Sequence, residues 1–294
     1  TGPDLHMGHS TSLRRLRQFQ ELGHKVIMLI GDFTAMIGDP TDKSATRIRQ
    51  TREQVLEHAK NYQEQAAKIL DFGGDNPVEL KYNSEWLGKM NLGDAVELAS
   101  NFTVQQMLER DMFENRMKDG KPIYMHEFLY PLMQGYDCVA MDVDGEVGGN
   151  DQTFNMLAGR TLMKAMKGKE KFVLTNKLLV DPTGKKMGKS EGNMITLGDS
   201  SDEMFGKIMS WTDGMIVSGF KILTMEDYAA VQKELDGGVN PREVKARLAR
   251  TIVAQYFDEA EAQMASERFD QLFKNKEVPE DVPKVRVAKP MKIV

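Results

Sequence analysis

The sequence lacks the features of disulfide-rich, membrane-spanning or disordered proteins. Its single cysteine, Cys138, cannot form an intrachain disulfide and lies in an apolar run, so we expect a buried thiol and a reducing compartment. No apolar stretch approaches the roughly 20 residues that span a membrane, and no signal peptide is recognisable, which favours the cytoplasm and no membrane partner. With 40% hydrophobic and 28% charged residues, a folded core is expected.

An excess of basic residues is also missing. The formal net charge of −5 argues against a protein that coats nucleic acid non-specifically, although a local basic face could still contact an RNA. The length of 294 residues is enough for a sizeable core and two domains.

The first part of the chain has the pattern of an α/β domain. A turn at the start leads into a helix, and residues 25–30 form a short apolar run typical of a buried strand. The apolar residues of this helix are Leu13, Leu16, Phe19 and Leu22. A parallel α/β unit needs a strand before its first loop, so we expect one ahead of residue 1.

Further helices are predicted over 51–72 and 83–118, and strand-like runs lie near 139–147 and 172–180, with a helix over 151–167 between them. This alternation predicts a Rossmann-like, doubly wound parallel sheet with a helical insertion at about 83–130. Candidate core positions in the insertion are Trp86, Leu92, Val96, Leu98 and Met107.

The pattern becomes purely helical after Gly198, over 205–211, 225–235 and 241–273, with Pro241 suited to a first helical turn. We therefore expect a catalytic domain over 1–198, an all-helical domain over 199–277 and a proline-rich linker over 278–294.

The opening loop is a candidate phosphate site. His6 and His9 lie three residues apart at a helix start, where unpaired backbone N–H groups favour anions. Gly8 between them would let a flat purine lie against the backbone. The alternatives are two solvated histidines or a half-built metal site. No other histidine has a zinc-like spacing to the pair, so no metal site is predicted.

A second cationic loop covers 181–193 and contains Lys186 and Lys189. Gly188-Lys189-Ser190 resembles the end of a phosphate-binding P-loop, but Thr183 stands where that motif needs its first glycine. The remaining interpretations are a solvated turn or a loop that places two ammonium groups on a triphosphate.

Polar residues at i, i+4 and i+7 mark one helix face: Tyr130, Gln134 and Asp137. Such a face can converge on a ligand. Each residue alone could instead pack, bridge helices or cap a turn.

In this order and spacing, the histidine loop and the Lys-Met-Gly-Lys-Ser loop resemble the two signatures of class I aminoacyl-tRNA synthetases. The helix face and the turn Gly148-Gly149-Asn150-Asp151-Gln152 are most similar to the tyrosyl-tRNA synthetases, and the tryptophanyl enzymes are the near relatives. Two positions depart from the family: Gly188 stands where serine is commoner, and Asp42 replaces a usual glycine.

The resemblance implies an enzyme that acts as a homodimer and uses Mg²⁺ and ATP to join L-tyrosine to tRNA(Tyr). It implies catalysis by His6, His9, Thr1, Lys43, Arg47, Lys186 and Lys189. It implies ATP binding by Gly8, Gly149, Asp151, Met187 and Ser190. It implies tyrosine binding by Asp39, Tyr130, Gln134, Asp137 and Gln152. Further substrate residues before Thr1 and a small RNA-binding domain after Val294 are expected by the same resemblance. The rivals are a small nucleotidyltransferase, and a synthetase remnant that binds RNA without chemistry.

Overall fold

The computed structural model describes residues 4–37, 52–180 and 194–273. The chain divides into two compact units, Thr1–Gly198 and Asp199–Val294. The catalytic role of residues 1–198 and the linker role of residues 278–294 remain predictions.

The first unit confirms the α/β fold class. Its elements are α1 (Met7–Glu21), β1 (Ile27–Ile30), α2 (Asp32–Ile37), α3 (Arg52–Ala66), β2 (Glu79–Tyr82), α4 (Ser84–Leu87), α5 (Leu92–Ala99), α6 (Val104–Leu108), α7 (Asp111–Lys118), α8 (Met125–Met141), β3 (Gly145–Gly149), α9 (Thr153–Lys167) and β4 (Phe172–Asn176). A 3-10 turn, Asn150–Gln152, connects β3 to α9.

The strands pair in parallel, as the doubly wound prediction requires. Ile27 of β1 lies opposite Glu79 of β2, and Gly145 of β3 lies opposite Phe172 of β4. Within the described residues, the strands form two separate two-stranded sheets, β1 with β2 and β3 with β4. The carboxyl ends of parallel strands meet at one edge, which is where α/β folds place their ligands.

The core of this unit lies between α8, α9 and the helical insertion. Its buried members are Leu98, Met107, Leu132, Cys138, Val139, Leu162 and Met163. Each fully buried large aliphatic side chain contributes about 1.5–3 kcal/mol to folding. Burial of the Cys138 thiol is thus confirmed, and this burial raises its pKa to about 12.

Two predicted core positions in the insertion are wrong. Leu92 and Val96 are exposed, whereas Leu98 and Met107 are buried. Leu92 and Val96 lie four residues apart on α5, on a face that no described element covers, while Leu98 joins the core beside α8. Trp86 is half-buried, and its indole N–H donates to a polar partner described below.

Several predicted boundaries also need correction. The run at 139–147 is not one strand, because α8 continues to Met141 and ends where Asp142 adopts a left-handed backbone with φ 52°. Only the part from Gly145 onward is strand. Leu22 is exposed since it lies beyond the last residue of α1.

The second unit is helical throughout its described part. Its helices are α10 (Ser201–Met209), α11 (Ile216–Leu223), α12 (Tyr228–Asp236), α13 (Pro241–Tyr256) and α14 (Glu259–Phe273). Pro241 occupies the first turn of α13, as predicted, and Asn240 caps that helix. The predicted continuous helix over 241–273 is two helices, because the backbone leaves helical geometry at Phe257. No described helix is both long and apolar enough to cross a membrane.

Candidate active site

The two histidines of the opening loop cap the helix that they begin. His6 Nδ1 accepts a hydrogen bond from Gly8 N–H at 3.1 Å, and His9 Nδ1 accepts one from His6 N–H, also at 3.1 Å. The two rings stack with their centroids 3.8 Å apart. A Cβ at position 8 would lie 2.9 Å from the His6 ring, so glycine is needed there to keep this arrangement.

These contacts define the protonation of both imidazoles. A neutral imidazole has one donor and one acceptor nitrogen, and using Nδ1 as the acceptor places the proton on Nε2. Burial lowers the pKa of both rings, and the nearby His6 lowers the pKa of His9 further. The pair therefore presents two neutral N–H donors at a helix start, where anions are favoured.

The segment that follows the lysine loop is joined to this helix start. The backbones of His6 and Thr196 pair in antiparallel fashion, with Met7 N–H donating to Ile195 O at 2.9 Å and Leu197 N–H donating to Leu5 O at 2.8 Å. Before the loop, Asn176 at the end of β4 donates to Ser12 Oγ on α1 at 3.2 Å. Contacts on both sides of residues 181–193 thus lead to the first turns of α1.

A buried carboxylate lies at the neighbouring strand ends. Asp137 on α8 is only 3% exposed, and it accepts hydrogen bonds from Trp86 Nε1 at 2.7 Å and from Asn83 Nδ2 at 3.2 Å. Burial raises the pKa of Asp137 to about 7, with smaller contributions in the same direction from the negative charges of Glu146 and Asp32, while its two hydrogen bonds oppose the shift. Such a perturbed acid is typical of a functional site.

One donor to Asp137, Asn83, is itself held by a hydrogen bond at the end of β2. Asn83 Oδ1 accepts from Phe33 N–H at 2.9 Å, which ties the end of β2 to α2. Asp32, just after β1, accepts from Ser84 N–H at 2.9 Å and from Ser84 Oγ at 2.6 Å. These contacts connect Asn83, and through it Asp137, to the ends of β1 and β2.

Gln134 lies on the same face of α8, one turn before Asp137. Its Oε1 accepts from Asn155 Nδ2 at 2.9 Å, and its Nε2 donates to Glu146 Oε1 at 3.4 Å. The same Asn155 nitrogen donates to Gln152 Oε1 at 2.9 Å. Gln134 and Gln152, which were predicted from separate motifs, therefore share one buried partner.

The turn after β3 is tight because of its glycines. Gly149 lies opposite Asn176, at the carboxyl ends of β3 and β4. A Cβ at Gly149 would come within 2.7 Å of Asp151 Oδ1, so glycine lets the Asp151 carboxylate fold back against the backbone. This geometry suits a group that approaches a nucleotide ribose.

The structure brings some of the predicted residues together and is silent on others. His6, Gly8 and His9 form one group at the start of α1. Tyr130, Gln134 and Asp137 lie along α8, and Gln134 is linked to Gln152. Outside the described residues lie Thr1, Asp39, Lys43, Arg47, Lys186, Met187, Lys189 and Ser190.

Sequence reasoning missed several residues that hold the site. They are Asn83, Glu146, Asn155 and Lys171, together with Trp86, which was assigned to the core. Glu146 and Lys171 had a usable signal, since each is a charged residue in or next to an apolar strand run. Asn155 lies three residues after Gln152, close enough on a helix for their side chains to meet.

Comparison with known proteins identifies the family of the chain. The family described as tRNA synthetases class I (W and Y) matches residues 1–274. Tyrosine–tRNA ligase of Carboxydothermus hydrogenoformans is 47% identical over 98% of this chain and 70% of its own length. Tyrosine–tRNA ligase 2 of Vibrio cholerae is 47% identical over 96% of this chain and 72% of its own length.

A crystal structure of a C-terminally truncated mitochondrial tyrosyl-tRNA synthetase from Aspergillus nidulans has the same fold. Its TM-score is 0.72 at 22% identity, over 93% of this chain and 83% of that one. The names of the relatives favour the tyrosine branch over the tryptophan branch. This chain belongs to the class I tRNA synthetases of the tryptophan and tyrosine group and, within it, to the tyrosyl-tRNA synthetase family.

Proposed function

We propose that this chain is a tyrosine–tRNA ligase that works in two steps. A carboxylate oxygen of L-tyrosine attacks the α-phosphorus of ATP, the bond to the β-phosphate bridging oxygen breaks, and pyrophosphate leaves. A terminal ribose hydroxyl of tRNA(Tyr) then attacks the carbonyl carbon of tyrosyl-adenylate, and AMP leaves. The enzyme forms no covalent intermediate, so its contribution is positioning and charge stabilisation.

The buried carboxylate of Asp137 is the observation that carries this proposal. With Trp86 and Asn83 already donating to it, Asp137 has acceptor capacity left for a phenol hydroxyl. Phenylalanine, which lacks the hydroxyl, would leave that buried capacity unused and is therefore rejected. Tyr130, Gln134 and Asp39 are assigned to the substrate ammonium, and Gln152 to its carboxylate.

The neutral histidine pair supports the assignment of the ATP phosphates to the start of α1. Nε2–H donors on His6 and His9 would contact the triphosphate as negative charge moves onto the leaving pyrophosphate. Because both rings are neutral, they act as hydrogen-bond donors rather than as fixed charges. Gly8, Gly149 and Asp151 are assigned to the adenosine part.

The positively charged side chains that are proposed to contact the triphosphate lie outside the described part of the chain. These are Lys43, Arg47, Lys186 and Lys189, with Thr1 as a further phosphate contact and Met187 and Ser190 in the loop that binds ATP. The contacts between residues 5–7 and 195–197 support this assignment, since they begin directly after the lysine loop. Mg²⁺ is proposed to enter with ATP, because it binds largely through phosphate oxygens and water at such sites.

A second copy of the chain is the proposed partner of an apolar face on the insertion. We call this the insertion face and define it by Leu92 and Val96 on α5 and by Met125 and Leu129 on α8. All four are exposed, and α5 packs against α8. Two i, i+4 apolar pairs on neighbouring helices resemble the centre of a homodimer interface.

The remaining assignments follow from family membership. The helical unit is proposed to face the anticodon side of tRNA, with residues 278–294 as a linker. The cytoplasm is the proposed compartment, in keeping with the single buried thiol.

Tyrosine-dependent exchange of pyrophosphate into ATP tests the first step. We expect exchange with L-tyrosine and none with phenylalanine or tryptophan. Exchange that depends on tryptophan would identify the sister activity. Absence of exchange, together with absence of a thermal shift on adding a non-hydrolysable tyrosyl-adenylate analogue, would support the RNA-binding remnant instead.

A further inference from the structure

Asn155, in the first turn of α9, holds two substrate-side glutamines with one amide group. Its Nδ2 donates to the Oε1 atoms of Gln134 and Gln152, and the residue has no exposed surface. Its Oδ1 has no hydrogen-bond partner within the described part of the chain. The side chain is therefore oriented by what its nitrogen donates to, and not by its oxygen.

Lys171, next to β4, is the buried charged residue that acts on the Asn155 amide through Glu146 and Gln134. Its side chain is fully buried and forms an ion pair with Glu146 Oε2. It also donates to Cys138 Sγ and to Met156 O, both at 3.1 Å. Three partners on three different elements fix the ammonium group in place.

Glu146 determines which end of the Gln134 amide faces it. As the partner of a buried ammonium, the Glu146 carboxylate accepts hydrogen bonds and has none to donate. Gln134 therefore turns its amide nitrogen toward Glu146 Oε1, and its oxygen toward Asn155. Asn155 must then present its nitrogen, and this nitrogen requires the oxygen of Gln152. One buried charge sets the direction of three amides.

The geometry points to Lys171 and Glu146 as positioning residues for amino-acid recognition, which act through Asn155 to fix the amide orientations of Gln134 and Gln152. This inference rests on the proposed function, in which the two glutamines contact the ammonium and carboxylate of tyrosine. An amide that rotates by half a turn exchanges a donor for an acceptor, so unfixed orientations would weaken binding without blocking the site.

Neutralising the ion pair in two stages tests the inference. The variant Lys171→Met leaves the partly buried Glu146 carboxylate without its partner, so we expect a lower Tm and a KM for tyrosine raised about tenfold. In the double variant Lys171→Met/Glu146→Gln neither charge of the ion pair is left, so the Tm should recover. The raised KM should remain, because an amide at position 146 can donate or accept and no longer fixes Gln134.

The measurements are the Tm, equilibrium tyrosine binding, and kcat and the KM values for tyrosine and ATP in pyrophosphate exchange. We expect kcat and the KM for ATP to stay unchanged. Asn155→Asp, which places an acceptor against both glutamine oxygens, should also raise the KM for tyrosine. Gln20→Ala is the control. Gln20 is buried and bonded to the Asp71 and Asn76 backbones, so its loss should lower the Tm and leave the KM for tyrosine unchanged.

Recovery of both Tm and KM in the double variant would show a purely structural ion pair and overturn the inference. An unchanged KM for tyrosine in Asn155→Asp would do the same while leaving the proposed function intact. If the wild-type chain neither binds tyrosine nor supports exchange, the proposed function fails as well.

Discussion

The backbone of His6 pairs with that of Thr196, although the two residues lie near opposite ends of the first unit in the sequence. One strand of this bridge leads directly into the helix that His6 and His9 cap, and the other follows the segment with Lys186 and Lys189. His6 is thereby held next to residues 195–197, which follow the lysine segment in the sequence.

The variant His9→Asn separates capping from catalysis. An asparagine oxygen can replace Nδ1 as the acceptor of His6 N–H, but it removes the Nε2 donor. We expect kcat for pyrophosphate exchange to fall about 100-fold, a loss similar to that of an oxyanion-hole donor, with the KM for tyrosine and the Tm unchanged. His9→Ala, which also loses the cap, should lower both kcat and Tm. A wild-type rate for His9→Asn would remove His9 from the phosphate site.

His9, whose pKa is lowered to about 3, should stay neutral, with the proton on Nε2, well below the pH at which a free imidazole titrates, and the pKa of His6 should shift in the same direction. Their lowered pKa values come first from burial. Because the unfolded chain takes up these protons below about pH 6.5, the histidines reduce the free energy of unfolding as pH falls through that value. Nitrogen-15 NMR of the imidazoles at pH 6 checks this directly. Signals of an imidazolium at His9 would contradict the hydrogen-bonded arrangement.

Asp137 should make the protein less stable as pH rises. Its pKa in the folded protein is about 7, above its ordinary value, so the folded state holds this proton more tightly than the unfolded state does. The free energy of unfolding therefore falls between about pH 4 and pH 7, by up to about 4 kcal/mol from this group. Asp137→Asn lacks this dependence, so the variant should gain stability relative to wild type as pH rises. Parallel urea titrations at pH 5 and pH 8 measure the difference, and an equal difference at both values would contradict it.

The variant Asp137→Asn should also bind L-tyrosine more weakly. Removing the ionised acceptor weakens a hydrogen bond to a charged group, so we expect the Kd for tyrosine to rise about 10- to 100-fold, while ATP binding is retained. In the wild type, tyrosine affinity should increase with pH through about 7, as Asp137 ionises. Calorimetric titration at several pH values gives both results. A pH-independent affinity would mean that the phenol contacts another group.

Charge on the insertion face should disrupt the proposed dimer. Met125→Asp places a carboxylate on this face, and we expect sedimentation equilibrium to shift toward the monomer. Met225→Asp is the matched control, because Met225 is even more exposed and lies in the helical unit. It should leave the oligomeric state unchanged. A wild-type chain that is monomeric at all concentrations would rule out the dimer.

Much of the α/β pattern could be predicted because it depends on local periodicity and turn chemistry. The helix face of Gln134 and Asp137 and the glycine turn before Asp151 are visible as residue spacings. The predictions failed where solvent exposure depends on packing. Leu92 and Leu98 lie on the same short helix, and only the position of α8 decides which one is buried.

The sequence by itself determined the order of the elements and the residue types at the candidate site, since backbone propensity and spacing are local properties. Only the tertiary structure decided their partners. Trp86 reaches Asp137 across 51 positions, and Lys171 reaches Glu146 across 25. Both contacts arise when strands and helices distant in sequence pack together, and the burial that results gives Asp137 its raised pKa and orients the glutamine amides.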